Sequence, residues 1–250
     1  MLTQIWAHRG ASAYAPENTL AAFGLAAEMG ANGIELDVHM SRDGSLVVVH
    51  DEKVNRTSNG SGYVKDMTLA ELKKFNFSEG SKAYPQERIP TLKEVYELIA
   101  QTDIKINVEL KCDKIIYEGL WDKLIELEQQ TKMQGRILYS SFNWDVLTKL
   151  LNVDNGAKVG LLYKTNIKTP WKYAAELGAC ALHPKYLFPL RTPELISACH
   201  ERGFLVHAWT VNEPSVMQKL ALAKIDAIIT NKPDIALRVL HSLKENCNLN

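Results

Sequence analysis

A chain of 250 residues, 46% hydrophobic and 23% charged, has ordinary globular usage, which excludes disordered and fibrous classes. Lysine plus arginine and aspartate plus glutamate each number 29. No basic excess therefore points to nucleic acid or to a polybasic membrane anchor.

Short β-rich runs alternate with longer helical patterns along the chain. The expected strands are 4–8, 33–38, 105–110, 136–141, 158–162, 179–183, 204–209 and 227–230. Between them, apolar residues spaced three and four apart predict helices over 19–29, 92–100, 115–131, 145–151, 171–177, 193–201, 214–223 and 234–243. Asn18 and Asn212 stand at helix starts, the second with Pro214 in the first turn. Strand–helix alternation implies βαβ units and a parallel sheet. Eight units without a composition break favour a closed (β/α)₈ TIM barrel over a doubly wound sheet, with residues 1–250 as a single domain.

One segment breaks the rhythm. After the second strand comes Ser41-Arg42-Asp43-Gly44-Ser45 and a further β-rich run, 46–50, with no room for a helix. Asp-Gly between two such runs signals a two-residue hairpin loop. If Asp43 and Gly44 alone form it, Asp37 pairs with His50, and His39 pairs with Val48 and faces solvent. An irregular insertion subdomain follows over about 51–90, with one helical stretch at 68–75 where Thr68 and Glu71 could form a capping box. An insertion of this kind is either a functional loop or a cover for the barrel rim.

The four cysteines, Cys112, Cys180, Cys199 and Cys247, lie far apart without a CxxC pair. They argue against a disulfide scaffold and a thiolate zinc site, and they suit a reducing compartment. The start, from Met1 to His8, lacks the basic and apolar runs of a signal peptide, and no stretch of 18 apolar residues occurs. The expectation is a soluble, cytoplasmic protein.

Several ionisable residues fall at the C-terminal ends of expected strands, where barrel enzymes build their sites. His8 and Arg9 close the first strand. Glu35 and Asp37 close the second, two apart and so on one face. Glu109 and Lys111 do the same on the third. Each also has a plain reading: carboxylates in water on a half-exposed strand, a hydrogen-bonded structural histidine, or a solvated ion pair worth little. Convergence favours function, because neighbouring barrel strands would bring three carboxylates to one mouth. Buried carboxylates repel unless a cation neutralises them. Three oxygen ligands without cysteine suit Mg²⁺, Mn²⁺ or Ca²⁺, and a substrate that also binds hard cations, such as a phosphate. Arg9 offers a planar fork for phosphate, and two histidines offer an acid and a base near neutral pH. Trp209 and Phe142 end strands at the same mouth, as pocket wall or as core.

The motifs resemble those of the glycerophosphodiester phosphodiesterase family. They are His8-Arg9-Gly10, Ala15-Pro16-Glu17-Asn18-Thr19, Glu35-Leu36-Asp37 and Val49-His50-Asp51, followed by Arg56-Thr57-Ser58-Asn59-Gly60 and Ile89-Pro90-Thr91-Leu92. Glu109-Leu110-Lys111, Trp209-Thr210-Val211-Asn212 and Thr230-Asn231-Lys232-Pro233-Asp234 complete the series. Nine in order, from residue 5 to about 236, are a strong signal where one would be weak.

The resemblance implies a (β/α)₈ barrel with the insertion as an extra subdomain. It implies metal-dependent hydrolysis of small-molecule glycerophosphodiesters, such as glycerophosphocholine, to glycerol 3-phosphate and an alcohol. Glu35, Asp37 and Glu109 would hold the divalent cation, and His8 and His50 would act as general acid and base. Arg9 would bind the phosphate with Lys111 helping to neutralise it, while Trp209 and Phe142 could wall the alcohol pocket. The attacker is water or the neighbouring glycerol hydroxyl, and the reading leans to His50 as the acid. Glu17 is placed to position Arg9, Asn18 to cap the helix after it. His183 and Lys185 stand as either substrate contacts or structural residues. The rivals are a lysophospholipase D on the same scaffold and a non-catalytic phosphodiester-binding module; the second would lack a histidine or a carboxylate, and all five are present.

Overall fold

The computed structural model describes residues 3–248. Met1, Leu2, Leu249, Asn250 and the side chains of Asn246, Cys247 and Asn248 lie outside the described residues. Nine strands form one sheet: β1 (Gln4–His8), β2 (Gly33–Met40), β3 (Leu46–Val48), β4 (Lys105–Leu110), β5 (Ile137–Ser141), β6 (Val159–Tyr163), β7 (Ala181–Pro184), β8 (Leu205–Ala208) and β9 (Ala227–Thr230). Eight of them run parallel, and β1 pairs with both β2 and β9, which closes a (β/α)₈ barrel. The ninth, β3, pairs antiparallel with β2 alone.

The helices are α1 (Leu20–Glu28), α2 (Leu69–Leu72), α3 (Leu92–Ile99), α4 (Leu120–Gln130), α5 (Trp144–Val153), α6 (Pro170–Leu177), α7 (Leu187–Arg191), α8 (Glu194–His200), α9 (Pro214–Leu222) and α10 (Pro233–Asn248). The short α7 was not expected from periodicity; Pro189 is tolerated in its first turn, where no backbone donor is needed. The helix expected from 115 starts only at Leu120, because Gly119 takes the left-handed conformation at φ +70° just before it. Thr68 and Glu71 do form a capping box on α2, and Thr91 and Glu94 form another on α3.

The core has two layers. The outward faces of the strands pack on the helices, with Ile34, Leu36, Val108 and Leu182 fully buried among Phe23, Val95, Leu124 and Leu150. The barrel interior holds a separate cluster of Trp6, Leu138, Ala181, Ala227 and Ile229. A third cluster, including Val49, Val54, Val64, Leu72 and Ile89, lies under the insertion and gives it a small core of its own.

The hairpin departs from expectation by one residue. Val38 pairs with Val48 and His39 with Val47, so Val49, not His50, stands opposite Asp37. The loop has three residues, Arg42, Asp43 and Gly44, closed by the Ser41 amide bonding the Ser45 carbonyl at 2.9 Å. Only Gly44 is left-handed (φ +80°), whereas a two-residue type I′ turn needs both central residues so. Asp43 instead turns its carboxylate inward, accepting from the Ser41 hydroxyl at 2.6 Å and the Leu69 amide at 3.0 Å. A one-residue slip exchanges faces. His39 is itself buried rather than solvent-facing, its ring held between the Tyr117 hydroxyl and the His50 carbonyl, which corrects the sequence reading.

Candidate active site

The parallel register builds the site at the C-terminal mouth. His8 pairs with Glu35 across β1 and β2, and Asp37 pairs with Glu109 across β2 and β4. Side chains two apart share a face, so Glu35, Asp37 and Glu109 all point into the barrel. One oxygen from each lies within 4.8 Å of the others, and all three residues are buried. A cavity at this mouth is lined by His8, Arg9, Glu35, His50, Asn107, Glu109, Phe142, Leu162, Trp209 and Ile229. Seven of the nine residues singled out from sequence thus border one space. Asp37 is fully buried and does not line it. Lys111 stays with the carboxylates, its Nζ 2.6 Å from Glu109 Oε1 and 3.7 Å from Asp37 Oδ1.

Electrostatics separates the three carboxylates. Burial, then the charges of Asp37 and Glu109, pushes Glu35 well above the usual carboxylate range. Glu109 is also pushed up, chiefly by burial, with Lys111 opposing and the charge of Asp37 adding to the rise. At Asp37, burial is outweighed by Arg9, Lys111 and His50, and the group is held well below its ordinary value. Two groups that resist ionising beside a third that is ionised form a cluster that positive charge stabilises. Asp37 Oδ1 and Asn107 Oδ1 are also buried without a hydrogen-bond partner. An all-oxygen donor set with unpartnered lone pairs fits a hard divalent cation.

Each histidine at the mouth is oriented by a partner. His8 Nδ1 lies 2.7 Å from Asn231 Oδ1, an acceptor, so Nδ1 carries the proton and Nε2 is left toward Glu35 at 3.9 Å. Burial, then Arg9, lowers His8 to about 4. His50 Nδ1 donates to Asp51 Oδ1 at 2.6 Å, again leaving Nε2 unengaged. Arg9 is held in a left-handed backbone (φ +55°), with Nη1 on Glu17 at 2.9 Å and Nε 3.3 Å from Asp37. Glu17 is thus in direct contact with the Arg9 guanidinium. Trp209 and Phe142 pack edge to face at 5.4 Å on the other side of the mouth, and Trp209 Nε1 donates to the His183 carbonyl.

Other sequence readings change. Asn18 does not cap α1; Thr19 does, accepting from the Ala22 amide. Asn18, at φ +57°, instead donates to Asp37 Oδ2 at 2.8 Å. Asn212 is not a cap either: Glu213 precedes α9, and Asn212 Oδ1 accepts from the Asn231 amide and the Thr230 hydroxyl. It thereby holds the loop that presents Asn231 to His8. His39 Nε2 donates to the His50 carbonyl at 3.2 Å while its Nδ1 meets the Tyr117 hydroxyl at 2.7 Å. None of these three supports could be found by periodicity; their only signal was membership of a motif or of the hairpin. His183 is fully buried against His207 in the barrel interior, and Lys185 is exposed.

Fold and mouth together present a (β/α)₈ barrel whose C-terminal mouth gathers two histidines, an arginine and three buried carboxylates that could hold a metal ion. Residues 8–235 match the glycerophosphoryl diester phosphodiesterase family. The chain belongs to that family, and it is a phosphoric diester hydrolase. It is 42% identical to a glycerophosphodiester phosphodiesterase of Caldanaerobacter subterraneus over 96% of this chain and 98% of the relative. A solved Oleispira antarctica phosphodiesterase, in complex with the product sn-glycerol-3-phosphate, superposes with a TM-score of 0.85 at 32% identity, covering 96% of this chain and 97% of its own. The Thermotoga maritima glycerophosphodiester phosphodiesterase gives 0.78 at 30% identity, covering 96% and 99%.

Proposed function

We propose that this protein hydrolyses glycerophosphodiesters, such as glycerophosphocholine, to glycerol 3-phosphate and an alcohol, using a divalent cation and the pair His8 and His50. The observation that carries the reading is the convergence at one mouth of three buried carboxylates, an arginine and two histidines whose Nδ1 protons are already engaged. The product bound to the Oleispira relative supports the glycerol 3-phosphate half of the substrate.

Glu35, Asp37 and Glu109 would hold the cation, Mg²⁺, Mn²⁺ or Ca²⁺. When bound it supplies charge neutralisation at the non-bridging phosphate oxygens. Arg9 binds the phosphate through the end of its guanidinium not engaged by Glu17 and Asp37, and Lys111 adds positive charge beside Glu109. His8, whose partner is a neutral amide, takes the proton of the attacking oxygen on Nε2. His50, whose Nδ1 is held by the Asp51 carboxylate, gives an Nε2 proton to the leaving alkoxide. Phe142 and Trp209 wall the alcohol side. Cys112, Cys180 and Cys199 are free thiols, which supports action in a reducing, cytoplasmic setting. Among the described residues no helix is long and apolar enough to cross a membrane.

The test is incubation with glycerophosphocholine and each cation in turn, glycerol 3-phosphate being read with a coupled dehydrogenase. Release of glycerol 3-phosphate is expected. Cleavage of lysophosphatidylcholine alone would replace this reading with the lysophospholipase D one.

A further inference from the structure

Arg56 lies in the insertion and does not line the mouth cavity, yet its guanidinium makes four hydrogen bonds to two carboxylates beside the site. Nε and Nη2 grip Asp51 at 2.9 and 3.2 Å, while Nη1 and Nη2 grip Glu17 at 3.0 and 2.7 Å. Each of those carboxylates has a second task. Asp51 Oδ1 accepts the His50 Nδ1 proton, and Glu17 Oε1 accepts from Arg9 Nη1. The result is one alternating chain, Arg9–Glu17–Arg56–Asp51–His50, joining the loop after β1 to the start of the insertion.

We propose that Arg56 is a positioning residue through which the insertion fixes Arg9 and His50 relative to each other. The proposal rests on the reading of those two residues given above. Three features support it. First, a planar fork with five donors can serve two carboxylates bidentately, which an ammonium cannot. Second, Arg56 is anchored independently of the site: Val54 and Thr57 are buried, and the Ser58 amide bonds the Val54 carbonyl at 3.1 Å. Third, Glu17 and Asp51 lie within the span of one guanidinium, so removing it leaves two like charges facing each other. Isolated exposed ion pairs contribute little, but a bidentate chain with a partner as buried as Glu17 (side chain 15% exposed) belongs to the exceptions.

The experiment uses full-length Arg56→Gln and Arg56→Lys, with cooperative melting confirmed for both, and two readouts. Turnover of glycerophosphocholine is expected to fall by on the order of 10- to 100-fold in kcat, more than any change in KM, because the reacting groups are misplaced rather than lost. Arg56→Lys is expected to recover little, whereas free guanidinium at non-denaturing concentration restores part of the activity of Arg56→Gln and ammonium does not. Independently of activity, the strongly deshielded His50 Nδ1 proton, assigned with His50→Gln, is expected in the wild type and lost in both variants. An unchanged His50 signal in Arg56→Gln, or kcat within about twofold of wild type, overturns the proposal. Absence of glycerol 3-phosphate release by the wild-type protein overturns the functional reading instead, and the His50 signal then still decides the role of Arg56.

Discussion

Two pairs of histidines sit in the same barrel under opposite conditions. His8 and His50 line the mouth, and each gives one ring nitrogen to a fixed acceptor, Asn231 or Asp51. His183 and His207 lie deeper, with ring centroids 4.8 Å apart; neither ring nitrogen of His183 nor Nδ1 of His207 has a partner. Burial holds His207 down to about 4 and drives His183 well below its ordinary value. The deeper pair fills volume: the His183 ring occupies the space that the missing side chain of Gly160 leaves, and His207 packs on Trp6 at 5.2 Å. A partner that fixes one nitrogen leaves the other aimed at a substrate. Packing alone leaves an imidazole neutral and idle.

The largest effect should fall on the mouth alone. Treatment with a chelator is expected to abolish turnover and leave the melting of the barrel interior cooperative; full turnover in chelated protein would refute the role given to the carboxylates. Next, His8→Ala and His50→Ala are each expected to lower kcat by about 10² or more, whereas His207→Gln leaves turnover per folded molecule near wild type. Steady-state kinetics on the three variants checks the contrast, and similar losses in all of them would erase it.

A smaller effect should separate the interior from the mouth in the other direction. A Cβ on Gly160 would lie 2.6 Å from His183 Nε2, with the ring fully enclosed. Gly160→Ala is expected to destabilise by about 1–3 kcal/mol, the usual cost of overpacking, as read by denaturant unfolding. The smallest effect is a pH dependence. His39 and His207 are both lowered to about 4, chiefly by burial, from an ordinary value of 6.5. The unfolded chain therefore takes up protons between those values that the fold refuses. Their stabilising contribution is complete above pH 6.5 and is lost as pH falls toward 4, by about 1 kcal/mol per group between pH 7.5 and 5.5. His207→Gln should flatten this acid limb, and an unchanged slope would show that His207 does not titrate with unfolding.

The amino-acid sequence by itself determined the barrel and most of the mouth. Period-two and period-3.6 patterns are local, and a carboxylate two residues from another on a strand shares its face whatever the rest of the chain does. That is why Glu35, Asp37 and Glu109 were legible, and why Thr68 and Glu71 gave a capping box. The hairpin register was not legible, because Arg42 joins Asp43 and Gly44 in the loop, whose Asp43 carboxylate is held by Ser41 and by Leu69, the second distant in sequence. Only the tertiary structure decided which residues serve the site from behind: Asn18 on Asp37, Asn231 on His8, His39 on the His50 carbonyl, and Arg56 across Glu17 and Asp51. Each joins segments that no local pattern connects. Their roles follow from desolvation and hydrogen-bond geometry, which exist only once the chain has closed on itself.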